Sequence, residues 1–509
     1  MNRYKRIGVV TGLLVLFALA YQIILLRNTN RFEKPYLTTI MTAIIVVSVI
    51  AISGVMCLCA SGRFSIEQIF LASYLVVGIL YILVLPPFSA PDEAKHLATA
   101  YYYANPAGVS ERLDPAGRVV VRETDTILTH EDNHFPKAST YEIVSREFWK
   151  GAGNKAPASF TEPPLNVPFT AYIPQEAGVW LGSLLGLSGV ATHYLMKVLM
   201  LIAAAIGGYF TIRLAPVGKM VFFTVYFLPM TLSLMTSANY DSTENVLALL
   251  LTAYILKMRY EIEKVGLRDY IPVLVISLVM VPIKVVYILL LFMLLMIPAS
   301  KYRSKGEFAL LFGGTLAVNA LAILALRMST LAGLVVTGDT TTVAAHWTLG
   351  QILSDIPHAI ATFVYSFYEQ LTFYYNTMMG ASLGWLELSV PQAIIAALTV
   401  VLLMSVFVKV KGERTEAVTR RERIICGLIF AALFCGITLA MWLDNTPMDK
   451  EVIQGVQGRY FIPALPMILI IFRGEKIKLD EVFARYMPVA LVVLNVFAMS
   501  RVFEIISTR

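Results

Sequence analysis

Four short stretches place ionisable residues in a sequence that is otherwise almost entirely apolar. The first is LPPFSAPDEAKHLATAYYYANP, residues 85–106, which sets Asp92, Glu93, Lys95 and His96 directly after a hydrophobic run long enough to cross a bilayer. Asp92 and His96 are four residues apart and Glu93 and His96 three apart, so on a helix each carboxylate shares a face with the imidazole. A carboxylate partly desolvated at a membrane–water boundary has its pKa pushed up, towards a value useful to a general base. The same residues also make an ordinary helix start, with proline in the first turn and acids favoured by the dipole.

The second stretch is SANYDSTENVLALL, residues 237–250, where Asp241 opens an apolar run and Asn245 lies one turn further on. Asn239, Asp241 or Ser242 could each serve there as an N-cap. The third is VMVPIKVVYILLLF, residues 279–292, with Lys284 in the middle of an apolar stretch (271–298) and Tyr287 three residues later. Both ends of that stretch are flanked by basic residues, which predicts a hairpin of two short helices with Lys284 near its turn. A lysine at that depth must pair with an anion or reach the interface. The fourth is GVQGRYFIPALP, residues 455–466, where Gln457, Arg459 and Tyr460 follow and flank two glycines; the donor fork of an arginine suits phosphate. HEDNHF (130–135) offers His130, Glu131, Asp132 and His134 as metal ligands, but such loop segments are more often simply solvated. Walker A, Rossmann and G-x-S-x-G patterns are absent, so soluble-type nucleotide and hydrolase chemistry has no support.

The elements that must position these residues are membrane spans. Of 509 residues, 57% are hydrophobic and 15% charged, and the mean hydropathy is +0.70, so a soluble domain would lack the polar surface to cover itself. The apolar runs predict an all-α polytopic bundle of about thirteen spans, near 7–27, 37–60, 66–85, 190–213, 218–237, 241–258, 270–283, 285–299, 307–328, 390–409, 424–443, 459–473 and 487–505. The first run is too long for a secretory signal and is expected to be retained. KVKGERTEAVTRRER (409–423), with KMRYEIEKVGLR and KYRSK, marks the cytoplasmic side and outvotes the basic segment 27–35. The N-terminus is then inside, and the stretch from Pro86 to about Ile173 is a large external loop after the third span, followed by smaller external segments near 329–389 and 444–458. The net charge of +7 is topological and gives no sign of nucleic-acid binding. The four cysteines fall inside predicted spans and are expected to pack.

PPFSAPDEAKH resembles the acidic motif of the first external loop in glycosyltransferases of the GT-C superfamily, and its Asp-Glu-x-x-His form is close to that of the protein O-mannosyltransferases. AYIPQEAGVWLGSLLGLSGVATHYLMKVL, LPMTLSLMTSANYDSTENVLALLL, PIKVVYILLL, GASLGWLELSVP and GVQGRYFIPALP resemble, in that order, a bacterial family of predicted membrane proteins placed in the same superfamily. The resemblance runs from about 66 to 475, leaving two N-terminal spans (1–65) and a C-terminal span (476–509) outside the shared core. It implies a GT-C-like bundle, a polyprenyl-phosphate-sugar donor, an acceptor on the outer membrane face and inversion at the anomeric carbon. Carried over residue by residue, it implies that Asp92 is the base, with Glu93 beside it. His96, Asp241, Asn245, Lys284, Tyr287, Gln457, Arg459 and Tyr460 are then expected to bind substrate, Lys284 and Arg459 at the lipid phosphate. A divalent metal is left open, since some GT-C enzymes use one and others do not.

The expectation is therefore a plasma-membrane enzyme whose partners are a polyprenyl-phosphate-linked sugar, a cell-envelope glycan and the surrounding lipid. The rivals are a flippase or other transporter of lipid-linked sugars, a polysaccharide polymerase, and a non-catalytic scaffold in which the acidic motif only caps a helix. Transporters commonly gather their binding groups near the midplane of internal repeats, whereas the polar groups here cluster at one face.

Overall fold

The computed structural model describes the chain apart from residues 1–2, 28–33, 106–111, 129–135, 154–155, 337–346, 415–417, 475–478 and 480, so HEDNHF lies wholly outside the described residues. The chain opens with α1 (Arg3–Leu26), α2 (Pro35–Ser61) and α3 (Ile66–Val84), followed by a polar region that carries α4 (Glu93–Ala104), α5 (Ala138–Glu147) and α6 (Ile173–Leu184). Next come α7 (Gly189–Leu214), α8 (Lys219–Tyr226), α9 (Pro229–Met235), α10 (Tyr240–Tyr260) and α11 (Leu267–Ile283). After a 3₁₀ segment (Val285–Met296) the chain continues through α12 (Lys305–Val336), α13 (Leu349–Ser354), α14 (Ile356–Met379), α15 (Gln392–Phe407) and α16 (Arg420–Asn445). A second 3₁₀ segment (Gly458–Ala464) runs into α17 (Leu465–Ile470), and α18 (Glu481–Thr508) ends the chain. Among the described residues seven helices, α1, α2, α3, α7, α12, α16 and α18, are long and apolar enough to cross a membrane, and three apolar segments are shorter. Helix forms in each apolar run located in the sequence; the run at 218–237 is divided into α8 and α9 ahead of Pro229.

Close packing in an apolar solvent rests on small residues and internal hydrogen bonds, since lipid tails are as apolar as leucine. At the α3–α7 crossing, a Cβ on Gly78 would stand 2.2 Å from a Leu201 methyl, so any larger residue would have to displace that side chain. Polar ties do the rest: Asn495 of α18 donates to the Phe227 carbonyl at the α8–α9 break and accepts from Tyr81 at 2.6 Å.

The two ends of the bundle differ. At one end, the Glu413 carboxylate accepts from the Lys219 amide at 2.6 Å and pairs with Arg473, while Arg259 pairs with Glu422. There too Lys301 donates to the free carbonyls of Met258, Arg259 and Ile262 at the end of α10, so the basic segments of the sequence are sewn into one surface. At the other end the region between α3 and α7 folds over the bundle with its own core. Leu97, Tyr101, Phe160 and Tyr172 from that region pack with Met196, Ala238 and Ile283 from the helices beneath. A short antiparallel pair, β1 (Val120–Arg122) with β2 (Pro157–Ser159), and a fully buried Arg122–Asp125 ion pair stiffen it.

Candidate functional site

The start of α4 is built by two left-handed non-glycine residues, Phe88 (φ 64°) and Asp92 (φ 55°). Aspartate is among the few side chains that tolerate this region, and such outliers collect at sites where the surrounding structure holds them for a purpose. Asp92 sits at the N-cap position but makes no capping hydrogen bond. Its carboxylate is about half exposed (48%), with the Lys95 ammonium 4.0 Å away. That carboxylate is spent neither on the helix cap nor on a close ion pair.

Glu93 differs from its expected role beside Asp92. Its side chain is fully buried: one oxygen accepts from the Ala90 amide at 3.1 Å, the other from the Ala238 amide at 3.1 Å, and His193 Nε2 lies 3.3 Å away. Burial alone would raise its carboxyl, but the His193 ring, Lys197 and the Ala238 amide hold it down at about 2. Such a group anchors α4 to α7 and to the α9–α10 turn, and its carboxylate is closed off from solvent. The sequence missed these partners because His193 and Lys197 are a hundred residues downstream. Their spacing of four within an apolar helix was the available signal, since charged groups in a span are functional candidates.

Beneath α4 the predicted cations converge. Asn239, not Asp241, caps α10, accepting from the Ser242 amide at 2.9 Å. Asp241 is thereby free to meet Lys284 Nζ at 2.5 Å with one oxygen and Arg459 Nε at 3.6 Å with the other. Lys284 also lies over the rings of Tyr240 (5.0 Å) and Tyr460 (4.4 Å), and Arg459 over Tyr460 (5.3 Å). Tyr287 donates to the Tyr460 carbonyl at 2.7 Å, tying the Lys284 turn to the Arg459 segment. Asn245 donates to the Asp241 carbonyl at 2.7 Å, and Gln457 is the residue before the 3₁₀ segment that carries Arg459. Glu244, not foreseen, lies one turn from Asp241, buried, with neither oxygen hydrogen-bonded; the charge of Lys284 acts on it.

Matched lengths bring Lys284 to this level. The 17 residues of α11 rise about 25 Å, and the 12 residues of the 3₁₀ segment return about 24 Å at ~2 Å each. The turn between them, with Lys284 extended at φ −135°, is therefore at the same end as the start of α10.

His96 joins the two layers. Its Nδ1 is 2.6 Å from the Tyr172 hydroxyl and its ring meets Tyr240 edge-on at 4.9 Å. Burial pushes the imidazole down to about 4; Arg459 acts the same way, and Asp241, Asp92 and Glu93 oppose it. At neutral pH it is an uncharged hydrogen-bonding group between Asp92 above and the cation pair below. Among the described residues no group of three His, Cys, Asp or Glu side chains could hold a metal ion.

The family model described as "Predicted membrane protein (DUF2142)" matches residues 75–468, from within α3 to within α17. No curated protein and no solved structure matches the chain.

Proposed function

The chain belongs to the DUF2142 family of predicted membrane proteins, and on that premise we propose that it is an inverting glycosyltransferase. It would move one sugar from a polyprenyl-phosphate donor to a cell-envelope glycan at the outer face of the plasma membrane. In this reading about thirteen helical passes cross the bilayer, the N-terminus is cytoplasmic, and the α4 region is outside. The observation that carries the reading is the meeting of Lys284 and Arg459 on Asp241, directly beneath a helix start whose Asp92 carboxylate is unspent.

A lipid phosphate is already a good leaving group, so the protein must supply a base, a counter-charge and orientation. Asp92 takes the proton of the acceptor hydroxyl as its oxygen attacks the anomeric carbon from the face opposite the phosphate. The carbon–oxygen bond to phosphate breaks, and polyprenyl phosphate leaves with the electron pair and one more negative charge. Lys284 and Arg459 meet that charge, Asp241 having aligned both cations before the donor arrives. A single displacement inverts the anomeric centre.

Mass spectrometry of the envelope glycan tests this, comparing wild type with a deletion and with Asp92→Asn. Removing a general base lowers the rate by about 10²–10⁴-fold, so both strains should lack one sugar, while the variant still folds and binds donor. Unchanged glycan in both strains overturns the proposal. Lipid movement that persists in Asp92→Asn would identify a flippase instead, and a requirement for a diphosphate oligosaccharide donor a polymerase.

A further inference from the structure

A second constellation lies where α13 and α14 meet the end of α16. Trp347 and Trp442 stand there with ring centroids 5.9 Å apart at 64°, and His358 tilts against Trp347 at 6.4 Å. With Gln351, Ser354 and Asp355 they line a cavity of about 270 Å³, just below the size usual for a drug-sized ligand. The indole N–H of Trp347 is buried and has no hydrogen-bond partner among the described residues, an unusual state for a buried donor. Asp355 caps α14 with one oxygen, accepting from the His358 amide at 3.0 Å, which leaves the other for a ligand.

The lining selects against anions. It contains no lysine or arginine, and its carboxylate, Asp355, would repel a phosphate or an acidic headgroup. The Trp347 ring, backed by the buried Trp442, lies beside an unpaired donor, a carboxylate and an imidazole, a set that complements a sugar ring with its apolar C–H face and rim of hydroxyls. The floor of the cavity also leads to the site already described. Trp442 shares a buried apolar cluster with Tyr374 and Phe461, on which Tyr460 packs. Phe434 stacks on Phe461 at 5.4 Å, and Trp442 lies about 12 Å further along α16.

We propose that this cavity is a subsite for one uncharged sugar ring of the acceptor glycan, held beyond the cation pair while a hydroxyl several rings further along the glycan reaches Asp92. The inference rests on the glycosyl-transfer reading for the chain that delivers the ring; the binding itself does not. The test uses the full-length protein in lipid nanodiscs, with the methyl glycosides of glucose, galactose, N-acetylglucosamine and rhamnose as probes, read by saturation-transfer NMR and tryptophan fluorescence. Trp347→Phe keeps a ring but loses the N–H, and Asp355→Asn still caps its helix, so both should fold. At least one glycoside should bind, about ten-fold more weakly in each of these variants and equally well in Asp92→Asn. In a transfer assay, Trp347→Phe should raise KM for acceptor with kcat little changed. No binding by any glycoside, or equal binding in both variants, overturns the subsite. Binding that depends on Trp347 together with an unaltered glycan in Asp92→Asn would keep the subsite and sink the transferase reading; the opposite pattern would do the reverse.

Discussion

Asp92 and Glu93 are neighbours of the same chemical type, and their backbone conformations give them different work. The left-handed φ of Asp92 leaves its carboxylate half exposed, whereas Glu93 enters the helix and is consumed by two amides and His193. His96 stands between them and the cation pair, faced by Tyr172, Tyr240, Asp92, Glu93, Asp241 and Arg459. Its ordinary value of 6.5 falls to about 4 on burial, so in that interval the unfolded chain binds more protons than the folded one. Stability therefore rises with pH: this contribution is complete above about 6.5 and is lost as the pH falls towards 4, to the extent of roughly 3 kcal/mol at most. Thermal unfolding in detergent should show the melting temperature of the wild type falling across that window, with the slope much reduced in His96→Gln. An identical slope in the variant would mean that another group titrates there.

Arg459 owes its position to helix contacts as well as to Asp241. Gly458, the residue before it, donates its amide to Thr377 at 2.7 Å, and a Cβ there would fall 1.7 Å from the Tyr374 carbonyl oxygen. Gly458→Ala must push the 3₁₀ segment off α14 and carry Arg459 away from Asp241, destabilising the fold by about 1–3 kcal/mol, as overpacked sites do. Sugar transfer should fall further than the melting temperature alone explains; full activity in this variant would show that the Arg459 position is unimportant. The sequence revealed part of this arrangement. Charges at both ends of 271–298 foretold the hairpin and its Lys284 turn, because only a returning chain keeps both ends on one side. The 3₁₀ winding was not legible, since hydropathy counts residues and not rise per residue. Nor was the true cap of α10: Asn239 and Asp241 are both competent, and only the fold decides which is left over to bind cations.

Across the whole molecule, polarity is sorted by end. The basic segments meet on one surface through Glu413, Glu422 and Lys301, and Asp92, His96, Lys284 and Arg459 gather towards the other. The family match begins at residue 75 and ends at 468, so α1, α2 and α18 lie beyond it. These three are joined to one another by Gln22, which donates to Ser48 at 3.0 Å and Ser500 at 3.1 Å. An excess of lysine and arginine holds loops in the cytoplasm, so the proposed reading puts the basic surface inside and the α4 region outside. Single cysteines placed in a background without the native four test that orientation. Trp149→Cys, at a position 86% exposed in the polar region, should react with an impermeant maleimide in intact cells. Lys411→Cys, exposed on the basic surface, should react only once the membrane is opened. The reverse pattern would put Asp92 in the cytosol, away from any outer-face glycan, and the glycosyl-transfer reading would fall with it.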